Sequence, residues 1–201
     1  IRPRPYKSFK GRTYAAAVSP ESSKIMAELG VGILIIPQKP WDHVEKEMND
    51  YRAIYREVNG EEAPAPILGG WTYCDESADR AEEMAYKYIG GYYRSVIEHY
   101  EMASDHLKST KGYETYGAMV DHVTKNLEDV VRFFMSIQVY GTPKQCLERI
   151  QDFTARTGAG AYNGVFSYGG MPYADVEKSL RLFAKDVLPE LRKMPGEPLL
   201  R

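Results

Sequence analysis

Short apolar runs alternate along the chain with longer amphipathic stretches, and that alternation sets the fold to expect. The first run, "TYAAAV", reads as a strand from Thr13 to Val18, followed by a helix from Pro20 to Leu29 that Gly30 ends. "VGILIIP" is continuously apolar, the pattern of a strand covered on both faces, and it predicts a strand over Gly32 to Pro37. "WDHVEKEMNDYRAIYREVNG" then repeats its apolar residues at helical spacing until Asn59-Gly60. A third strand is predicted over Ile67 to Cys74, with a helix that opens at Asp75-Glu76-Ser77 and runs through "ADRAEEMAYKYIGGYYRSVIEHY". A fourth is predicted over Gly164 to Tyr168, before the amphipathic "ADVEKSLRLFAKDVLPELRK" and a tail released at Pro195-Gly196. Strands that alternate with helices predict an α/β fold whose strands are parallel and in sequential order.

Between the third and fourth strands, residues 99–158 read as a helical insertion. It holds the loop "KSTKGYETYG", a helix "AMVDHVTKNLEDVVRFFMSI", and a helix opening at Gly141-Thr142-Pro143 with Thr142 as N-cap and Pro143 in the first helical position. A connection of this length either lies across the face that carries the strand C-termini, shielding a ligand from water, or buries the sheet edge. Turn residues and few aliphatic anchors predict Lys108 to Gly117 as the most mobile stretch, with Tyr113 and Tyr116 placed to close over a ligand.

Composition acts by exclusion. A chain of 201 residues with a net charge of −2, 43% hydrophobic and 27% charged, fits an ordinary globular protein and gives no reason to expect a nucleic-acid partner. No apolar run is long enough to span a bilayer, and "IRPRPYKSFKGR" lacks the apolar core of a signal peptide, so no membrane partner and a cytoplasmic location are expected. Cys74 and Cys146 are far apart and match neither a metal nor a redox spacing, which predicts free thiols in a reducing compartment. His43, His99, His106 and His122 sit in no recognised ligand pattern, and no metal is expected.

The segment "YAAAVSPESSKIMAELG" supports two readings. Ser19 suits an N-cap, Pro20 the first helical position, and Glu21 the positive end of the helix dipole. A helix start with free N–H groups and flanking hydroxyls also suits a phosphate. Two glycine pairs raise a similar choice: Gly69-Gly70 inside a strand point to a bulge or a close neighbour, and those of "SYGGMP" to a close backbone approach or a tight turn.

Four segments in order, "GRTYAAAVSPESSKIMAELGVGILIIPQKPW", "GGWTYCDESADRAEEMAYKYIGGYYRS", "YGTPKQCLERIQDF" and "FSYGGMP", carry a resemblance. With the large insertion after the third strand, they make the chain similar to the bacterial-luciferase-like family of flavin-dependent monooxygenases and oxidoreductases. The resemblance covers nearly the whole chain and is to the second half of the family's (β/α)8 barrel, strands five to eight with their helices. A whole barrel takes about 250 residues, so half a barrel enlarged by one insertion suits this length. The implied organisation is a single half-barrel domain over 1–201, with the insertion at 99–158 as an active-site lid and a tail at 195–201. The implied activity belongs to the complete protein: reduced FMN, supplied by a separate flavin reductase, acts with oxygen on a small organic substrate, and this chain alone is inactive. The alternatives are F420-dependent hydride transfer, and a non-catalytic half-barrel that binds flavin or another protein.

In the family, the loop after the fifth strand binds the flavin phosphate through a backbone N–H and two hydroxyls, and the matching positions are Val18, Ser19 and Ser22. Ser23 is a spare donor; Pro20 brings no N–H, and Glu21 has to point away. Tyr92 matches the aromatic residue that lies near the isoalloxazine, although Tyr86, Tyr88, Tyr93 and Tyr100 crowd the same helix and such a stripe also reads as core. Ile36 and Gln38, at the end of the second strand, are implied to face the barrel mouth, and Trp41 either lines the substrate side or staples the loop. The family's catalytic histidine belongs to strands one to four, which no segment matches, so the catalytic residues are unknown. Four strands cannot close a barrel, so a missing N-terminal half or a second copy in a homodimer is expected to complete it. "IRPRPYKSFKGR", without methionine and in the style of a loop, favours a fragment.

Overall fold

The computed structural model of the chain describes residues 2, 4–17, 19–109 and 120–195. Its first elements are β1 (Tyr14–Ala16), α1 (Pro20–Glu28), β2 (Gly32–Ile35), α2 (Trp41–Asn59) and β3 (Ile67–Cys74), the alternation that the apolar pattern predicts. β1 pairs with β2 in parallel from Tyr14↔Gly32 to Ala16↔Leu34, and β2 with β3 through Leu34↔Ile67 and Ile35↔Leu68. One helix joins each pair, because parallel neighbours need a crossover. The chain continues with α3 (Ala78–Ala85), a π-helical turn (Tyr86–Gly90), α4 (Gly91–His99), α5 (His106–Ser109), α6 (Val120–Lys125) and α7 (Leu127–Ser136). It closes with β4 (Val139–Gly141), α8 (Pro143–Thr157), β5 (Ala161–Val165), α9 (Tyr173–Asp186) and α10 (Leu188–Leu191). The fold class is the expected one, α/β with parallel strands and helical crossovers, as in part of a (β/α)8 barrel.

Three details differ from the sequence reading. β4 is an added strand within the insertion, paired in parallel with β3 from Thr72↔Val139 to Cys74↔Gly141. A strand this short has no alternation to read. The predicted fourth strand lies earlier, at Ala161–Val165, where it pairs with β3. A Cβ on Gly70 would stand 2.7 Å from the Tyr162 hydroxyl, so the bare backbone there leaves room for that side chain. The aromatic run beyond it is loop: Phe166 sets its edge on Phe183 at 5.1 Å, and the Tyr168 hydroxyl donates to the Thr72 carbonyl at 3.0 Å. Finally, the long insertion helix is split at Asn126, between α6 and α7. The stretch foreseen as most mobile lies largely outside the described residues, Tyr113 and Tyr116 included.

Two compact units are formed, residues 1–70 with 150–163 and 193–201, and residues 71–149 with 164–192. In the first, α2 buries Trp41, Val44, Met48, Tyr51 and Tyr55, the three-and-four spacing of one helical face. Trp41 stacks on Phe153 at 4.1 Å, and Tyr51 donates to the Val31 carbonyl at 2.8 Å. Arg52 sends one guanidinium nitrogen to the Thr157 carbonyl at the end of α8 and the other to Asn49 at 3.3 Å. A cation there satisfies an orphan carbonyl and the negative end of the dipole. In the second unit, Tyr73, Ile89, Tyr93, Val131 and Phe134 are among the buried core, with Tyr93 stacked flat on Phe134 at 3.9 Å. Among the described residues, no helix is long and apolar enough to cross a membrane.

Candidate functional site

The start of α1 is built as the serine-proline pattern predicts. Ser19 is extended, with φ −105° and ψ 153°, and its Oγ accepts the Ser22 N–H at 3.1 Å, while Pro20 opens the helix. The Ser19 carbonyl accepts the Ser23 N–H at 3.0 Å, the first helical bond. The Ser19 and Ser22 hydroxyls are 2.9 Å apart. Two hydroxyls carry two protons, and the bond between them uses one. The other stays available to a ligand, polarised by the bond behind it. Ser23 is buried, and its hydroxyl has no hydrogen-bond partner among the described residues. Glu21 is exposed. Val18, the expected backbone donor, lies outside the described residues.

Topology brings further predicted residues to the same end of this unit. β1 and β2 are parallel neighbours, so the chain leaves both at one edge, toward Ser19 from β1 and toward Ile36 and Gln38 from β2. Ile36 and Gln38 are half-buried there. Trp41, the first residue of α2, is buried against Phe153, with its indole nitrogen lacking a hydrogen-bond partner among the described residues. A polar cavity of about 510 Å³ in this unit is lined by residues such as Asn49, Arg52 and Arg156 and contains none of the predicted site residues.

Tyr92 belongs to the second unit, where its half-buried ring lies 5.0 Å from that of Trp71. Burial, then the neighbouring Tyr100, pushes its phenol pKa up, so it stays protonated at neutral pH. The "SYGG" loop makes the close approach its glycines suggest, and the neighbour is protein. Gly169, at φ +62°, would place a Cβ 2.7 Å from the Tyr88 carbonyl oxygen in the π-turn. Gly170, at φ +72°, faces open space.

Sequence reasoning missed the polar cluster at the end of β3. Asp75 is buried, and its Oδ1 accepts the Ser77 N–H at 3.1 Å. Its Oδ2 receives Arg80 at 3.2 Å and Lys178 at 3.4 Å, and Arg80 reaches on to Asp175 at 3.4 Å. Burial pushes the Asp75 carboxyl up, but the Ser77 hydrogen bond and the Lys178 and Arg80 cations outweigh it and hold it below the ordinary carboxylate value. Beside it, burial and then the Asp75 charge push the Tyr73 phenol up to about 12. The signal in the sequence was the Asp-x-Ser helix opening, which reads as a cap; Lys178 is too distant in sequence to be read with it. Among the described residues, no group of His, Cys, Asp and Glu is arranged to hold a metal ion.

Residues 1–160 match the luciferase-like monooxygenase family. The chain belongs to that family. It is 24% identical over 202 residues to the alkanal monooxygenase alpha chain of the Kryptophanaron alfredi symbiont, covering 96% of this chain and 55% of that protein. Among solved structures it is similar to the oxygenating constituent of 3,6-diketocamphane monooxygenase of Pseudomonas putida, a complex with FMN. There the TM-score is 0.57 at 18% identity, with 91% of this chain and 48% of that one covered. It is also similar to the coenzyme F420 dependent tetrahydromethanopterin reductase of Methanopyrus kandleri, with a TM-score of 0.55 at 20% identity, 89% of this chain and 50% of that one. The chain therefore spans about half the length of these relatives.

Proposed function

We propose that this chain carries the phosphate cradle of a reduced-FMN, oxygen-using monooxygenase that acts on a small organic substrate. The supporting observation is the Ser19–Ser22 hydroxyl pair, 2.9 Å apart at the start of α1, with one proton left to donate outward. That donor set fits a phosphate: neutral hydroxyls, the positive end of a helix dipole, and an exposed Glu21 directed to solvent. When bound, the reduced flavin supplies the electrons for oxygen chemistry. Ser19 and Ser22 hold the phosphate, Val18 adds its N–H, and Ile36 and Gln38 flank the cofactor at the end of the next strand. Tyr92 as a ring contact rests on the family resemblance alone. A flavin reductase and the complementary half-barrel, or a second copy, are the proposed partners.

The test is Ser22→Ala, because Ser22 lies inside the first turn and Ser19 also caps the helix. A hydrogen bond to a charged group is worth about 1.5–3 kcal/mol, so FMN should bind roughly 10–150-fold more weakly. Riboflavin, with the ring and no phosphate, should bind as before. Equal loss for both ligands, or none, leaves the serines as a helix cap only. The likeness to the F420-dependent reductase supports a second reading, hydride transfer with F420 held by the same hydroxyls, which a parallel F420 titration distinguishes.

A further inference from the structure

The two cysteines that match no motif in the sequence are neighbours in the fold. Cys74 ends β3 and faces Gly141 of β4 in register, while Cys146 lies near the start of α8. The Cys146 Sγ is 3.7 Å from the Tyr73 carbonyl oxygen and 3.6 Å from that of Gly141, the backbone groups beside Cys74 along its strand and across to the next. Both cysteines are buried, and the Cys74 N–H is anchored on Ser179 Oγ at 2.8 Å. The proposed function uses neither sulfur.

We propose that Cys74 and Cys146 form a latent oxidisable dithiol, which a peroxide converts to an intramolecular disulfide joining the end of β3 to the start of α8. One thiol, as its thiolate, attacks a peroxide oxygen; the O–O bond breaks, leaving a sulfenic acid and the first water. The second sulfur then attacks the sulfenyl sulfur, the S–S bond forms, and the hydroxyl leaves as the second water. The two thiols lose two electrons and two protons in all, and the peroxide takes them up. The bond closes a loop from residue 74 to residue 146 that contains α3 to α7 and β4. The neighbouring Cys74 thiol, and then burial, push the Cys146 thiol pKa up. Reaction therefore waits on local opening of the first turn of α8, and it is slow.

The experiment treats the full chain with hydrogen peroxide, blocks remaining thiols under denaturing conditions, and maps unreduced peptides by mass spectrometry. The expected result is a linked Cys74–Cys146 peptide pair in a chain lighter by two hydrogens. Its Tm should rise on the order of 10 °C, because a long loop is closed, and dithiothreitol should reverse the change. Cys146→Ser should show no such rise. A crosslink between chains, sulfinic acid in place of the bond, a disulfide without a higher Tm, or two thiols still titratable after oxidation just below Tm overturns the proposal.

Discussion

Replacing Gly169 with Ala isolates the cost of the contact between the "SYGG" loop and the π-turn. The geometry imposes two penalties. Gly169 holds φ +62°, a left-handed conformation that costs an L-residue about 1–2 kcal/mol. The new Cβ would also stand 2.7 Å from the Tyr88 carbonyl oxygen, which already accepts the Gly91 N–H. That oxygen is backbone within a packed helix and does not give way cheaply, so overpacking adds about 1–3 kcal/mol. Gly170→Ala is the internal control: it has φ +72° and an open surrounding, so it carries the first penalty alone. Urea unfolding of the two variants should separate them by about 2 kcal/mol at unchanged m, with Tm values roughly 4–8 °C apart. Equal losses, or a larger loss at Gly170, would refute the reasoning.

Arg52→Met keeps the aliphatic stem but removes the cation from the Thr157 carbonyl; it should cost about 1–2 kcal/mol in thermal unfolding, and Arg52→Lys should recover part of this. Similar losses for Lys and Met would show that the charge is not what matters. Asp75→Asn should cost about 1–3 kcal/mol at neutral pH, since it removes the charge that Ser77, Lys178 and Arg80 favour. Because the native carboxyl titrates below its unfolded value of about 4, the wild-type advantage should be complete above that pH and fall away as pH drops through the native value. A pH-independent difference in urea unfolding would count against it.

What the sequence made legible is what local chemistry dictates. The Ser19 cap, the Pro20 start and the apolar faces of α2 appear where their patterns place them, because each is decided within one or two turns. β4 was not legible, because Val139–Gly141 is a strand only through its pairing with β3. Likewise β5 is located by Tyr162 fitting over Gly70, while the more strand-like Phe166 to Tyr168 leaves the sheet to pack on Phe183 and Thr72. The Asp75 cluster and the cysteine pair depend on residues from separate elements, which spacing alone cannot join. The π-turn did leave a mark. Ala81, Ala85, Ile89, Tyr93 and Ile97 are all buried at a strict interval of four. Over their span an α-helix would drift about 160° round its axis, so such a stripe stays on one face only if the helix is locally underwound.

That underwinding bears on how the segment tolerates insertions and deletions. A π-turn is the form an α-helix takes when one residue is added without rotating the helix beyond it. Removing one residue from Tyr86–Gly90 would restore an ordinary helix and keep Ala81 and Ala85 on one side of the change, Tyr93 and Ile97 on the other, against the same core. The same deletion in α3 would swing every later side chain of the helix by about 100° and expose the Tyr93 ring that stacks on Phe134. Length variation among relatives should therefore gather in this turn, and its absence from the flanking helices is the evolutionary trace to look for.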